Sequence, residues 1–383
     1  VDIMITVTRP YFPERETFDR YVDSIFEGRW LTNHGPLEQE LTRRLETYLG
    51  VENLLLVSNG TLALQIAYRA LGIAQMPGQY ESAEVITTPF TFIATASSLK
   101  WEGMQPVFTD IDPDTLCLDP ARIESAITPR TRAIVPVHVF GNACDVEAID
   151  ALGEAHDLKV IYDGAHAFGV TYRGNSLLSH GDASTLSFHA TKLFHSIEGG
   201  AIIFKRKEDL ERARKLINFG ITGPECIEEL GINAKMNEFQ AAMGLCVLDE
   251  IEGNLESRAL VWHAYAQALR GNVQLQTRQT GASLNYAYFP IILESESMLL
   301  EVMQRLQQEG YLARRYFCPS LESLSFLGRP AAELQDEDVI TPQIVHSTDI
   351  ASRILCLPLY SGLEVSEILG AVRIIVNRHV KAA

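Results

Sequence analysis

Between about residue 50 and residue 204, short continuous apolar runs alternate with stretches of helical spacing, and few architectures accommodate that rhythm. The run Leu54-Leu55-Leu56-Val57 is followed by a helical pattern from Gly60 to Leu71, with Leu64, Ala67, Tyr68 and Leu71 at helical spacing. Val85-Ile86-Thr87-Thr88 precedes a helical Ile93 to Trp101. Pro106-Val107-Phe108 precedes a helix-like Pro120 to Ile127, and Ala133 to Val139 precedes a helix over Asp145 to His156. Lys159 to Asp163 is again strand-like, as are Thr185 to Phe188 and Ala201 to Phe204. Because these strands are apolar throughout rather than alternating, both of their faces must be buried. The expectation is an α/β domain of the doubly wound kind, its sheet mostly parallel and covered by helices.

After residue 204 the pattern changes. Lys207 to Phe219 reads as helix, and a long helical stretch runs from Met236 to about Arg270. Tyr286 to Leu293 and Arg353 to Pro358 read as strands, and Met298 to Glu309 and Val365 to Val376 as helices. This predicts a small α+β C-terminal domain over 251–383, after a large domain over 1–250 that carries an N-terminal segment, 1–35. No internal repeat or low-complexity segment interrupts either part.

The formal net charge of −17 constrains the partners. Such a surface repels nucleic acid and anionic lipid, since binding to phosphate backbones depends on Lys and Arg displacing counterions. A phosphorylated ligand would have to be held locally, in a pocket, against the overall field. No stretch approaches the roughly 20 apolar residues of a membrane span. The opening Val1-Asp2-Ile3-Met4 has neither the basic start nor the apolar run of a signal peptide. Six scattered cysteines without close pairs fit reduced thiols in a cytoplasm.

Four features fall at strand ends of the α/β domain, where such sheets bind ligands. Ser58-Asn59-Gly60-Thr61 is a strand-to-helix turn: Gly60 permits close backbone approach and the helix start favours a phosphate, although a plain Ser/Asn cap has the same look. In Tyr162-Asp163-Gly164-Ala165-His166, a carboxylate just past a buried strand is either a cap or an anion that keeps a heterocyclic nitrogen protonated, and His166 could bond the same ligand. Ser187-Phe188-His189-Ala190-Thr191-Lys192, followed by Glu198-Gly199-Gly200, sets a lysine between two strands. Most lysines are solvated charges, but a desolvated one loses part of its preference for the charged form, as Schiff-base chemistry requires. Ser187 offers a hydroxyl to a phosphate nearby. Finally, Asn237 opens the long helix as either a cap or a phosphate ligand, beside a stripe of Met236, Phe239 and Met243 that reads as packing.

In this order the motifs resemble the DegT/StrS type of sugar-nucleotide aminotransferases, fold type I pyridoxal-phosphate (PLP) enzymes. The resemblance extends from Trp30-Leu31-Thr32-Asn33-His34-Gly35-Pro36 through His138-Val139-Phe140-Gly141-Asn142 to Leu357-Pro358-Leu359-Tyr360. It implies a seven-stranded-type sheet in the large domain and Lys192 joined to PLP as a Schiff base. Asp163 would face the pyridine nitrogen, His166 the phenolic oxygen and Phe92 the ring face. Gly60, Thr61 and Ser187 would cradle the phosphate, with Asn237 reaching it from the partner subunit of a homodimer with shared active sites. Asn33, His189, Arg314 and Tyr316 would contact substrate, with Arg315 beside them. Many relatives have Asn directly after the lysine, where this chain has Leu193, a departure that bears on substrate contacts rather than on the chemistry.

The implied reaction moves the amino group of L-glutamate, leaving 2-oxoglutarate, to a keto sugar on a nucleoside diphosphate. The expected acceptor is a dTDP-4-keto-6-deoxyhexose, because relatives acting at the fourth carbon commonly carry Ser-Phe-His where those acting at the third carry Ser-Phe-Tyr-Pro. Amination at the third carbon or of a cyclitol ketone is the alternative. Dehydratase-like relatives replace the lysine with His, which Lys192 argues against. A regulatory PLP-binding protein would be expected to add a DNA-binding segment or break the site, and the chain does neither. No metal site is expected.

Overall fold

The structure is a computed structural model that describes residues 4–74, 82–328 and 343–379; Val1 to Ile3 of the N-terminal reading lie outside them. A seven-stranded sheet forms its centre, in the order Leu54–Val57, Gly200–Phe204, Ala183–Ser187, Lys159–Asp163, Thr131–Val135, Glu84–Thr87, Gln105–Phe108. Only Gly200–Phe204 runs antiparallel to its neighbours; the other pairings are parallel. Consecutive residues go to opposite cores, Leu54 and Leu56 to one and Leu55 and Val57 to the other, with Val85 and Ile86 divided the same way. That is the double burial which continuous apolar runs imply.

Parallel strands align their carboxyl ends along one edge. Val57, Thr87, Asp163 and Ser187 each close their strands there, and the antiparallel strand starts there at Gly200. The loops that leave this edge carry the motifs singled out in the sequence.

Several boundaries differ from the expected ones, each for a local reason. Pro120 to Ile127 forms two 3₁₀ turns, Pro120–Arg122 and Glu124–Ala126, instead of an α-helix. Pro129 follows at once and bars the residue before it from helical backbone. The strand expected over Ala133 to Val139 is Thr131–Val135, since Pro136 has no N–H to continue the ladder. The helix expected from Lys207 to Phe219 is Lys207–Leu216, and Phe219 lies at φ 59°. The long helix expected from Met236 to Arg270 is two, Glu238–Asp249 and Ile251–Ala268, separated by Glu250, whose carboxylate receives the Tyr11 hydroxyl and the Glu14 N–H. Of Tyr286 to Leu293 only Pro290–Ile292 is strand, because Tyr286 sits at φ 54°, outside extended backbone. Arg353 ends the helix His346–Arg353, leaving Ile354–Cys356 as strand. Val365 to Val376 divides into a 3₁₀ turn, Val365–Ile368, and the helix Leu369–Val376.

Helices Arg15–Gly28 and Pro36–Leu49 precede the sheet, and the second buries Leu41 and Leu45 against its core. A separate apolar cluster, with Val261, Tyr265, Phe289, Leu299, Leu355 and Ile375, surrounds the three-stranded antiparallel sheet Gln274–Leu275, Pro290–Ile292, Ile354–Cys356. The N-terminal strand Ile5–Thr6 pairs with Tyr311–Leu312, so the start of the chain packs beside this second core. No helix among the described residues is long and apolar enough to cross a membrane.

Candidate active site

The carboxyl edge of the sheet opens into a cavity of about 750 Å³. At one wall, the strand Leu54–Val57 turns into the helix Gly60–Ala70. Asn59 caps that helix by accepting the Leu62 N–H at 2.9 Å. The N–H groups of Gly60 and Thr61 have no hydrogen-bond partner among the described residues and belong to the positive end of the helix. A Cβ added at Gly60 would lie 2.7 Å from Ser187 Cβ and 3.1 Å from Ser187 Oγ, so only glycine fits between the helix start and the neighbouring strand end. Two free N–H groups and a serine hydroxyl thus meet in a concave corner suited to a phosphate.

At the opposite wall Asp163 ends its strand, 6% exposed. Its Oδ2 accepts from Thr95 Oγ1 at 2.8 Å and its Oδ1 from the Ala165 N–H at 3.1 Å. Desolvation raises its pKa, opposed by those two bonds and by Lys192. A carboxylate destabilised in this way favours a cation placed against it, and a protonated heterocycle meets that need. His166 lies close by, its Nδ1 accepting the Phe140 N–H at 3.2 Å. Burial, then Lys192, hold its pKa well below the usual histidine range, so the ring is neutral with its proton on Nε2, the nitrogen left to donate. Gly141 permits this packing: at φ 76°, a Cβ there would stand 2.8 Å from His166 O.

Lys192 is half-buried between these walls, its Nζ 3.4 Å from the Tyr288 hydroxyl. Desolvation pushes its pKa down to about 8, against the pull of Asp163. An amine that titrates there is a nucleophile and a proton carrier near neutral pH.

Of the residues expected from sequence, Gly60, Thr61, Phe92, Asp163, His166, Ser187, His189, Lys192, Arg314 and Tyr316 all line this one cavity. Phe92 and His189 are exposed at it, and His189 Nε2 stands 3.6 Å from Glu198 Oε1. The Arg314 guanidinium lies 4.6 Å over the Tyr316 ring and has no carboxylate partner among the described residues. Arg315 turns away to Glu296 at 2.7 Å and to the carbonyls of Ala351 and Ser352. Asn33 and Asn237 lie outside the cavity. Asn237 is exposed and caps its helix with Gln240 in a reciprocal capping box, so within one chain it is a cap. Asn33 is exposed at φ 62°, in a segment held by Glu238, whose N–H donates to Leu31 O and whose carboxylate accepts from the N–H groups of Leu37 and Glu38.

Sequence reasoning missed Thr95, Tyr288 and Phe317, and singled out Glu198 only as part of the lysine motif, with no role. Thr95 had a signal: with Thr91 it forms an i, i+4 pair, and the two hydroxyls are 3.0 Å apart beside Asp163. Tyr288 had none, since it comes from a segment more than 90 residues away from Lys192 in the chain.

Residues 13–375 match the DegT/DnrJ/EryC1/StrS aminotransferase family. The chain is 42% identical over 369 residues, 95% of itself and 96% of the relative, to a dTDP-4-amino-4,6-dideoxy-D-glucose transaminase of Shigella dysenteriae. It resembles the crystal structure of DesI in the presence of its TDP-sugar product, with TM-score 0.89 and 32% identity over 99% of this chain and 94% of that one. The structure of NtdA from Bacillus subtilis with bound cofactor PMP is also similar, with TM-score 0.79 and 27% identity over 94% of this chain and 81% of that one.

Proposed function

The chain belongs to the DegT/DnrJ/EryC1/StrS aminotransferase family, as a PLP-dependent transaminase of fold type I, and from that premise we propose the role of each cavity residue and the substrates it serves. The observation that carries the assignment of roles is the meeting of Lys192, Asp163 and the Gly60–Ser187 corner in one cavity. Bound PLP supplies an electron sink for the carbon that carries the amino group. Lys192 would hold it covalently through Nζ, Asp163 would keep its ring nitrogen protonated, and Nε2–H of His166 would donate to its phenolic oxygen. Gly60, Thr61 and Ser187 would hold the phosphate, and Phe92 would cover the ring. Lys192 Nζ, freed in turn, would take up and give back the proton that moves during transfer, a role its lowered pKa favours.

The substrates are L-glutamate and a dTDP-linked 4-keto-6-deoxyhexose, which leave as 2-oxoglutarate and the 4-amino-4,6-dideoxy sugar. Three observations support this: 42% identity to a transaminase named for that product, likeness to a structure described with a TDP-sugar, and His189 beside Lys192 at the cavity rim. A chain of net charge −17 needs local cations for an anionic nucleotide, and Arg314, stacked on Tyr316, is available for one. Asn33 would also contact substrate. Asn237 would reach the phosphate of a partner subunit, in a cytoplasmic homodimer with shared sites. We place the boundary between the large domain, 1–250, and the C-terminal domain, 251–383, at the break beside Glu250.

Incubation of the purified protein with glutamate and a panel of nucleotide-linked 3-keto and 4-keto-6-deoxy sugars, read by mass spectrometry and NMR, tests the substrate. Nitrogen at the fourth carbon of the dTDP sugar is expected. Nitrogen at the third carbon, or selective use of a cyclitol ketone, would overturn the substrate and leave the transaminase in place.

A further inference from the structure

The one hydrogen-bond partner of Lys192 Nζ among the described residues is a phenol, not a charged group. Tyr288 is fixed from several sides. Its ring centroid lies 4.6 Å from that of His166, 5.4 Å from Phe140 and 5.9 Å, edge-on, from Tyr316. The main chain leading to it is pinned as well. Asn285 Nδ2 donates to the carbonyls of His166 and Phe168, and its Oδ1 accepts the Ala287 N–H. Arg258, buried and without a carboxylate partner among the described residues, donates to the carbonyls of Tyr286, Ala287 and Leu359. Two buried polar side chains, Arg258 from the helix Ile251–Ala268 and Asn285 from the segment itself, therefore hold it in place.

We propose that Tyr288 positions Lys192, its phenol accepting from the ammonium and donating to the free amine, so that Nζ keeps one location through both protonation states. A carboxylate can only accept and a guanidinium can only donate; a hydroxyl does both, meeting the ammonium as acceptor and the amine's lone pair as donor. Burial raises the phenol's own pKa, so it stays neutral throughout and acts by holding the amine, not as a base. The titratable and charged groups around the pair are Asp163 and the neutral His166 facing Lys192, and Cys356, Arg258, Arg314 and Tyr316 facing Tyr288.

The inference rests on Lys192 as the reactive lysine. Tyr288→Phe removes one oxygen and keeps the ring, whereas Tyr288→Leu removes the ring too. In full-length, cofactor-free protein of each variant, with the fold checked by circular dichroism, acetic anhydride trace labelling across pH gives the titration midpoint of Lys192 from the mass of its peptide. The wild-type midpoint is expected at about 8. The phenol's bond to the ammonium is charge-assisted and outweighs its bond to the amine, so Phe should lower the midpoint. In the holoenzyme Phe should reduce kcat about tenfold or more, with KM for glutamate within about threefold. If the ring serves packing alone, Phe behaves as wild type and only Leu fails, and that result overturns the proposal. An unchanged midpoint in Phe overturns it too. Turnover retained by Lys192→Ala would instead remove the assignment of the reactive lysine, which the midpoint measurement does not depend on.

Discussion

The inner wall of the cavity and its outer rim are built differently. Asp163, His166 and Thr95 are buried beside the carboxyl edge of the sheet, and each is held in orientation by hydrogen bonds within the chain. Thr61, His189 and Arg314 at the rim are exposed, and Asn33 and Asn237, expected at the same site, stand outside it. Large apolar side chains are exposed elsewhere on the chain: Phe12 is 80% exposed, Ile227 72% and Phe26 71%. The difference teaches where each task can be performed. Shifting the titration of an amine and a carboxylate requires a low dielectric that only a packed core provides. Recognition groups can remain solvated until a substrate, or a second subunit, covers them.

The sharpest break of that contrast lies at Lys192. If the inner wall carries the chemistry, Lys192→Ala should reduce turnover by about ten-thousandfold or more while the melting temperature hardly moves. The purified wild type should be yellow, with a band that shifts on adding glutamate, and the variant should lack the lysine-bound form of that band. Near wild-type turnover would refute the assignment.

Asp163→Asn probes the same wall with a smaller change. Without its carboxylate the ring nitrogen loses its proton's partner, and turnover should fall about a hundred- to a thousandfold, some 3–4 kcal/mol of barrier. Steady-state kinetics decide this: unchanged kcat would make Asp163 a cap for the turn at Ala165.

The smallest signal is expected from a residue outside the cavity, in a mixing experiment. Should Asn237 serve the partner's site, inactive Lys192→Ala chains mixed with inactive Asn237→Asp chains should regain activity. Random exchange gives half heterodimers with one intact site of two, hence about a quarter of wild-type activity. Demonstrated subunit exchange with no recovery would confine the whole site to one chain.

Much of this site was legible in the sequence because its residues are local to strand ends. Asp163 closes an apolar run and Lys192 follows another, and a parallel sheet brings such ends to one edge whatever the lengths of its loops. Gly60 was legible as part of a Ser-Asn-Gly turn, although the reason glycine is required, the approach of Ser187, involves a strand more than 120 residues later. Arg314 and Arg315 could not be told apart from sequence. Backbone pairing of Arg314 with Cys356 sends the two side chains in different directions, one to the cavity and one to Glu296.

The sequence by itself determined the strands of the large sheet, within a few residues, and the edge on which they end, because apolar periodicity and strand-end motifs are local signals. Tertiary structure alone decided the break at Glu250, the partnership of Thr95 with Asp163 and the contact of Tyr288 with Lys192. Each of these depends on side chains from distant segments meeting in a shared, desolvated volume, where a hydrogen bond or a shifted pKa comes from the surroundings and not from the residue's neighbours in the chain.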